Sequence, residues 1–139
     1  MIFTHKKWAT FCAKLAARGF VSIPACQVTA DLGNYLVLKH DVETDVAKAL
    51  QIAEIEHQYG HCGSYYVQAY LLSDPKNIQM LQKMQKMGHE ISYHYDVMDS
   101  CKGDLNLASK SGLPVTKGTF IRERSFFTTV PLNISLASR

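Results

Sequence analysis

The chain has 139 residues, enough for one domain with a sizeable core, and its 47% hydrophobic and 19% charged content is ordinary for a soluble globular protein. A formal net charge of +3, with no basic run interleaved with aromatics, argues against nucleic acid or an anionic membrane as partner. No stretch approaches the ~20 apolar residues of a membrane span, and Lys14 and Arg18 interrupt the apolar pattern of the N-terminus, so no secretory leader is expected. Cys12, Cys26, Cys62 and Cys101 show neither CxxC nor zinc-finger spacing. They read as reduced thiols of a cytoplasmic protein.

In chain order, the Thr4 hydroxyl is placed to cap a first helix. Trp8, Phe11, Cys12 and Leu15 recur along one face of it, and Gly19 ends it. Residues 20–23 allow a short strand, and 24–34, with Pro24, Asp31, Gly33 and Asn34, read as a connection. The run YLVLK at 35–39 predicts a buried strand. Thr44 and Asp45 start a second helix, whose apolar face is Val46, Ala49, Leu50 and Ala53, widened by Ile52 and Ile55 and stopped at Gly60. SYYVQA at 64–69 is a second strand. Ser73, Asp74 and Pro75 open a third helix carrying Ile78, Leu81 and Met84, with Gly88 as its stop. Met80, Met84 and Met87 read as core filler. HEISY at 89–93 is a third strand.

Residues 35–94 therefore alternate strand and helix. Short helical crossovers between strands imply parallel pairing with right-handed connections, hence an α/β fold, as an open sheet or part of a barrel. Beyond Asn106 no helical or strand period is evident. The charge also shifts: residues 1–104 hold 10 Lys/Arg and 11 Asp/Glu, whereas 105–139 hold 5 Lys/Arg and the single acid Glu123.

Functional groups in parallel α/β folds gather at the C-terminal ends of the strands. On that rule His40, Asp41 and Glu43 follow the first strand, and His94, Tyr95 and Asp96 follow the third, with Asp99 a little beyond. Gln68 and Tyr70 lie between them. Carboxylates and imidazole are the donors of hydrolytic Zn, Mn, Co or Fe sites, where the metal lowers the pKa of bound water and polarises a carbonyl while a carboxylate serves as base. Each residue also has a plainer reading. Asp41 can cap the next helix and Glu43 can favour its N-terminus; His40 can be a packed strand-end residue or support a ligand; His94 can be structural. His57 and His61 flank a helix end and are expected at the surface, and His89 is expected to be structural. There is no GxSxG elbow and no phosphate-binding glycine loop.

LKHDVE at 38–43 and GHEISYHYD at 88–96, with AEIEHQYGHCGSYYVQAY between them at 53–70, resemble the polysaccharide deacetylase family. The family is also known as NodB-homology or carbohydrate esterase family four, and the likeness is to its atypical HDV(D/E) branch over roughly residues 3–104. The resemblance implies the N-terminal portion of a distorted (β/α) barrel of seven units. It also implies metal-dependent removal of acetyl groups from a saccharide or a related amide. By position Asp41 matches the base that activates water, and Glu43 replaces the usual acidic ligand, whose position Val42 occupies. His94 matches the first ligand histidine. The second falls on Met98, so Asp96 or Asp99 is the replacement expected, Asp96 standing where the branch has Glu.

The implied cofactor is a divalent metal, zinc first, with Mn, Co or Fe as the others. His40, Tyr70 and Tyr95 are the expected substrate contacts. The family's later motifs have no counterpart in 105–139, so a partial domain at 1–104 followed by a truncated or frame-shifted tail is expected. Self-association through exposed strand edges goes with it. The competing expectation is an inactive fragment or a carbohydrate-binding module that keeps part of the metal site.

Overall fold

The computed structural model describes residues 4–32 and 35–94. Helix α1 (His5–Ala17) begins where the Lys7 N–H donates to the Thr4 hydroxyl at 3.3 Å. Its expected inner face is only partly used. Cys12 is fully buried, but Phe11 remains 42% exposed, because α1 packs on the second helix at the flank of the sheet. Trp8 and Phe11 instead stack on each other, ring centres 5.1 Å apart.

Strand β1 (Leu38–Val42), strand β2 (Gly63–Val67) and strand β3 (Glu90–Tyr93) form one parallel sheet in the order β1-β2-β3. Helix α2 (Val46–Gln58) and helix α3 (Pro75–Lys86) are the crossovers. The expected α/β class with parallel strands and helical connections is what forms. Asp45 and Asp74 cap α2 and α3 by accepting from the N–H groups of Lys48 and Lys76 at 3.1 and 2.9 Å. Gly60, at φ +79°, takes the left-handed turn that leaves α2, a conformation that disfavours a β-carbon.

Two boundaries differ from the sequence expectation. The first strand starts three residues later than the apolar run YLVL suggests and continues through Val42. The reason is its partner: the β2 ladder matches Leu38 to Gly63 and Val42 to Val67. Leu36 makes only an isolated bridge to Ser22, all that forms of the expected strand at 20–23, and Tyr35 is half exposed. The second strand ends at Val67, after which Ala69–Ser73 coil into a 3-10 turn that puts Leu71 into the core.

Alternation along the strands sorts the sheet into two unlike faces. Leu38, His40, Val42, Tyr65, Val67 and Ile91 share the face turned to the helices, where Val42, Tyr65, Val67 and Ile91 meet Val46, Ala49, Ala53, Leu81 and Met84 in the core. Met80 and Met87 pack against this cluster, as their filler role requires. The other face is polar: Lys39 and Asp41 on β1, Ser64 and Tyr66 on β2, Glu90 and Ser92 on β3. Segment 22–27 crosses beneath part of it. The Ala25 N–H donates to Ser64 Oγ at 2.7 Å and the Cys26 N–H to Glu90 Oε2 at 3.1 Å, which satisfies groups that burial would otherwise leave costly.

Candidate functional site at the strand ends

The C-terminal ends of β1 and β3 bring Glu43 and His94 together. Glu43 lies just past β1, and His94 just past β3. The His94 N–H donates to the Val67 carbonyl at 2.9 Å, extending the ladder by one residue. His94 Nε2 then stands 3.9 Å from Glu43 Oε1. The Glu43 side chain is 61% exposed and the imidazole 24%. His94 Nδ1 is buried with no hydrogen-bond partner among the described residues. Such an orphan is uncommon, since buried polar atoms are nearly always paired.

Asp41 lies inside β1, not beyond it as the sequence boundary implied. Its side chain stands on the polar face, the face that His94 shares by register, and Lys39 Nζ is 3.3 Å from its Oδ1. The helix-capping alternative for Asp41 fails, because Asp45 occupies the cap of α2. The lone pair that caps the helix is also why the Asp45 carboxyl sits below its ordinary range: the Lys48 N–H donates to it. Tyr70, exposed at the rim, donates its hydroxyl to the Glu43 carbonyl and so ties the 3-10 turn after β2 to the residue after β1. A cavity of about 360 Å³ runs along β1, lined among others by His40, Asp41, Glu43, Lys48 and Tyr65. Tyr95, Asp96, Met98 and Asp99 lie outside the described residues.

His40 points to the helix side of the sheet, opposite Asp41. Its Nε2 is 2.6 Å from Glu56 Oε1, and its ring stacks on Tyr65 with centroids 4.6 Å apart. The other Glu56 oxygen accepts from the Tyr65 hydroxyl at 2.8 Å. Glu56 has no exposed surface. Burial, and the carboxylate beside it, push the Tyr65 phenol well above its usual range, so it acts as a fixed donor. Sequence reading passed over Glu56, although 46, 49, 53 and 56 share the helical spacing of the buried stripe and the last of them is an acid.

His61 is likewise not at the surface as expected. It is fully buried, with the Ser22 N–H donating to Nδ1 at 3.1 Å and Nε2–H donating to the Cys12 carbonyl at 3.0 Å. A ring that joins two distant segments this way cannot be recognised from local pattern. His57 is exposed and His89 structural, both as expected. The Gly63 N–H donates to His89 Nδ1 at 2.9 Å and His89 Nε2–H donates to the Ala53 carbonyl at 3.0 Å. Burial holds its pKa below the ordinary value, so the ring is neutral, as that bonding pattern demands.

Cys12, Cys26 and Cys62 are free thiols. Burial pushes Cys12 and Cys26 up to about 11, Glu90 adding to the effect at Cys26, so neither has the thiolate character of a nucleophile. Among the described residues no group of three or more His, Cys, Asp or Glu side chains is arranged to hold a metal ion, and no helix is long and apolar enough to cross a membrane.

Ligands bound at about 2.1 Å in tetrahedral geometry lie roughly 3.4 Å apart. The 3.9 Å between Glu43 and His94 is close to that, and the exposed Glu43 side chain has freedom to close the difference. A carboxylate and an imidazole at this spacing are donor types that divalent metals take. Comparison with protein-family models, with curated proteins and with solved structures finds no match to this chain.

Proposed function

We propose that the chain carries part of the active centre of a metal-dependent hydrolase of the polysaccharide deacetylase kind, acting on acetyl groups of a saccharide or a related amide. Its α/β portion would then be the first units of a (β/α) barrel, with the polar sheet face turned to the barrel interior. The observation that carries this reading is the approach of Glu43 and His94 at 3.9 Å on one rim, with Asp41 on the same polar face. A carboxylate and an imidazole placed this way are donors for zinc, with Mn, Co or Fe as related candidates. Asp96, two residues beyond His94, is the proposed third ligand.

When bound, the metal supplies a Lewis acid for the acetyl carbonyl and an acidified water. The residues supply the rest. Asp41, an accessible carboxylate on that face, takes the proton of the attacking water. Lys39 beside it keeps a compensating charge on the same face. Tyr70 and Tyr95 provide aromatic surface for a sugar ring. His40 faces the helices and holds β1 in place through Glu56, so its contribution to substrate is through the strand that carries Asp41.

The reading is tested by acetate release from N- and O-acetylated oligosaccharides, with the full chain loaded with each metal in turn. Metal-dependent release that is lost in Asp41→Asn supports it. Release that is equal in the variant, or independent of metal, contradicts it. Metal uptake with no release from any substrate favours an inactive metal-binding module.

A further inference from the structure

The outer edge of β1 has a property of its own. β1 pairs only with β2 among the described residues. The Val42 carbonyl accepts from the Gln68 N–H at 3.1 Å, so Val42, and by alternation His40 and Leu38, turn their backbone groups toward β2. The N–H and C=O groups of Lys39 and Asp41 therefore point outward, along the groove of about 360 Å³ that both residues help line. An edge left open among the described residues is a template for another strand.

The sequence of the edge is complementary to itself. When LKHDV is laid antiparallel to a second LKHDV about a two-fold axis at His40, Lys39 falls opposite Asp41 of the second copy, and Asp41 opposite its Lys39. Leu38 falls opposite Val42. Lys39 and Asp41 are also the residues with outward backbone groups, so each such pair is a hydrogen-bonded pair that exchanges two N–H···O bonds, four in all. Opposite charges directly across an antiparallel pair stabilise it, and like charges destabilise it. Both side chains are accessible, at 59% and 44%, and pair with each other within the chain at 3.3 Å, so both are ionic partners already at hand. Backbone direction and charge thus select the same register.

We infer that the β1 edge is an isologous interface in which two copies of this chain join antiparallel at Leu38–Val42, running their described three-stranded sheets into one continuous sheet with two intermolecular Lys39–Asp41 pairs. The interface shares Lys39 and Asp41 with the proposed hydrolase site, and it is measured by association alone, without catalysis, so the failure of one reading is distinguishable from the failure of the other.

Charge exchange tests it. Lys39→Asp puts four acids across the axis of a homodimer, and Asp41→Lys puts four lysines there. Sedimentation of the full chain at increasing concentration should show a wild-type dimer that each single variant weakens about tenfold or more. An equimolar mixture of the two variants should restore it, because one strand then carries two acids and the other two lysines. Circular dichroism establishes that both variants are folded. A second measurement is independent of substitution: in wild type the Lys39 and Asp41 amides should be protected from hydrogen exchange at high concentration and released on dilution. A monomer at every concentration overturns the inference, including one whose edge amides are protected by a strand of the same chain. So does a dimer that the variants leave unchanged, or a mixture that fails to recover it.

Discussion

Glu56→Ala should be among the most damaging substitutions in the described part of the chain. The carboxylate has no exposed surface, and its two oxygens bind His40 Nε2 at 2.6 Å and the Tyr65 hydroxyl at 2.8 Å. Truncation leaves the Tyr65 hydroxyl buried without its acceptor and opens a void beside Gly63. Hydrogen bonds to a charged group are worth about 1.5–3 kcal/mol each, and breaking a buried pair by removing one partner typically costs about 3–5 kcal/mol. The larger range applies here because both oxygens are used. Against a total stability of about 5–15 kcal/mol for a domain, roughly a fifth or more would be lost. Urea unfolding at one fixed protein concentration measures it as a shift in midpoint with unchanged slope. Tyr65→Phe, which removes one donor and leaves the carboxylate its other partner, should cost less, about 1.5–3 kcal/mol. A loss below about 1 kcal/mol for Glu56→Ala would refute the view that this carboxylate anchors β1 to α2.

Three further outcomes follow from the same packing. A β-carbon at Gly63 would meet Glu56 Oε2 at 2.6 Å and the Leu38 carbonyl at 3.2 Å. Gly63→Ala should therefore cost about 1–3 kcal/mol, and Glu56→Ala/Gly63→Ala should lose less than the sum of the singles in a double-mutant cycle. His89 has a folded pKa below its ordinary 6.5. The unfolded chain then binds the extra proton first, so stability is full above about 6.5 and falls as pH drops toward the folded pKa, by up to about 1.4 kcal/mol per pH unit. Unfolding free energies at pH 7 and below measure that slope, which should be smaller in His89→Gln. With thiols pushed up to about 11, Cys12 and Cys26 should react with an aromatic disulfide at pH 8 far more slowly in the folded chain than in urea; equal rates would contradict their burial.

What was legible in the sequence was local. Asp45 and Asp74 were recognisable as helix starts, and Gly19, Gly60 and Gly88 as stops, because caps and left-handed turns act within a few residues. Three parallel strands followed from the spacing of helices between apolar runs. The start of β1 was not legible, because the ladder with Gly63–Val67 decides it, and a partner 25 residues away leaves no trace in the run YLVL. Glu43 and His94 were found together because strand ends share a rim whatever the strand boundaries are. Glu56 and His61 were missed because each takes its role from long-range partners: Glu56 from His40 and Tyr65, and His61 from Ser22 and Cys12. His40 was expected just past the first strand, among the substrate contacts, and lies instead inside it facing the helices, because the run was ended at Lys39, three residues short of Val42, and the two-residue alternation was not carried through it.

The most direct test of the site is zinc binding by the full chain, measured by equilibrium titration and by metal content after dialysis, in wild type and in Asp41→Ala, Glu43→Ala and His94→Ala. Wild type should retain zinc. Glu43→Ala and His94→Ala should each weaken binding by more than about tenfold, the scale already reached when a supporting outer-shell group is lost. Asp41→Ala, which removes the proposed base and neither proposed ligand, should retain the metal. Equal metal content in all four proteins would contradict the assignment of Glu43 and His94.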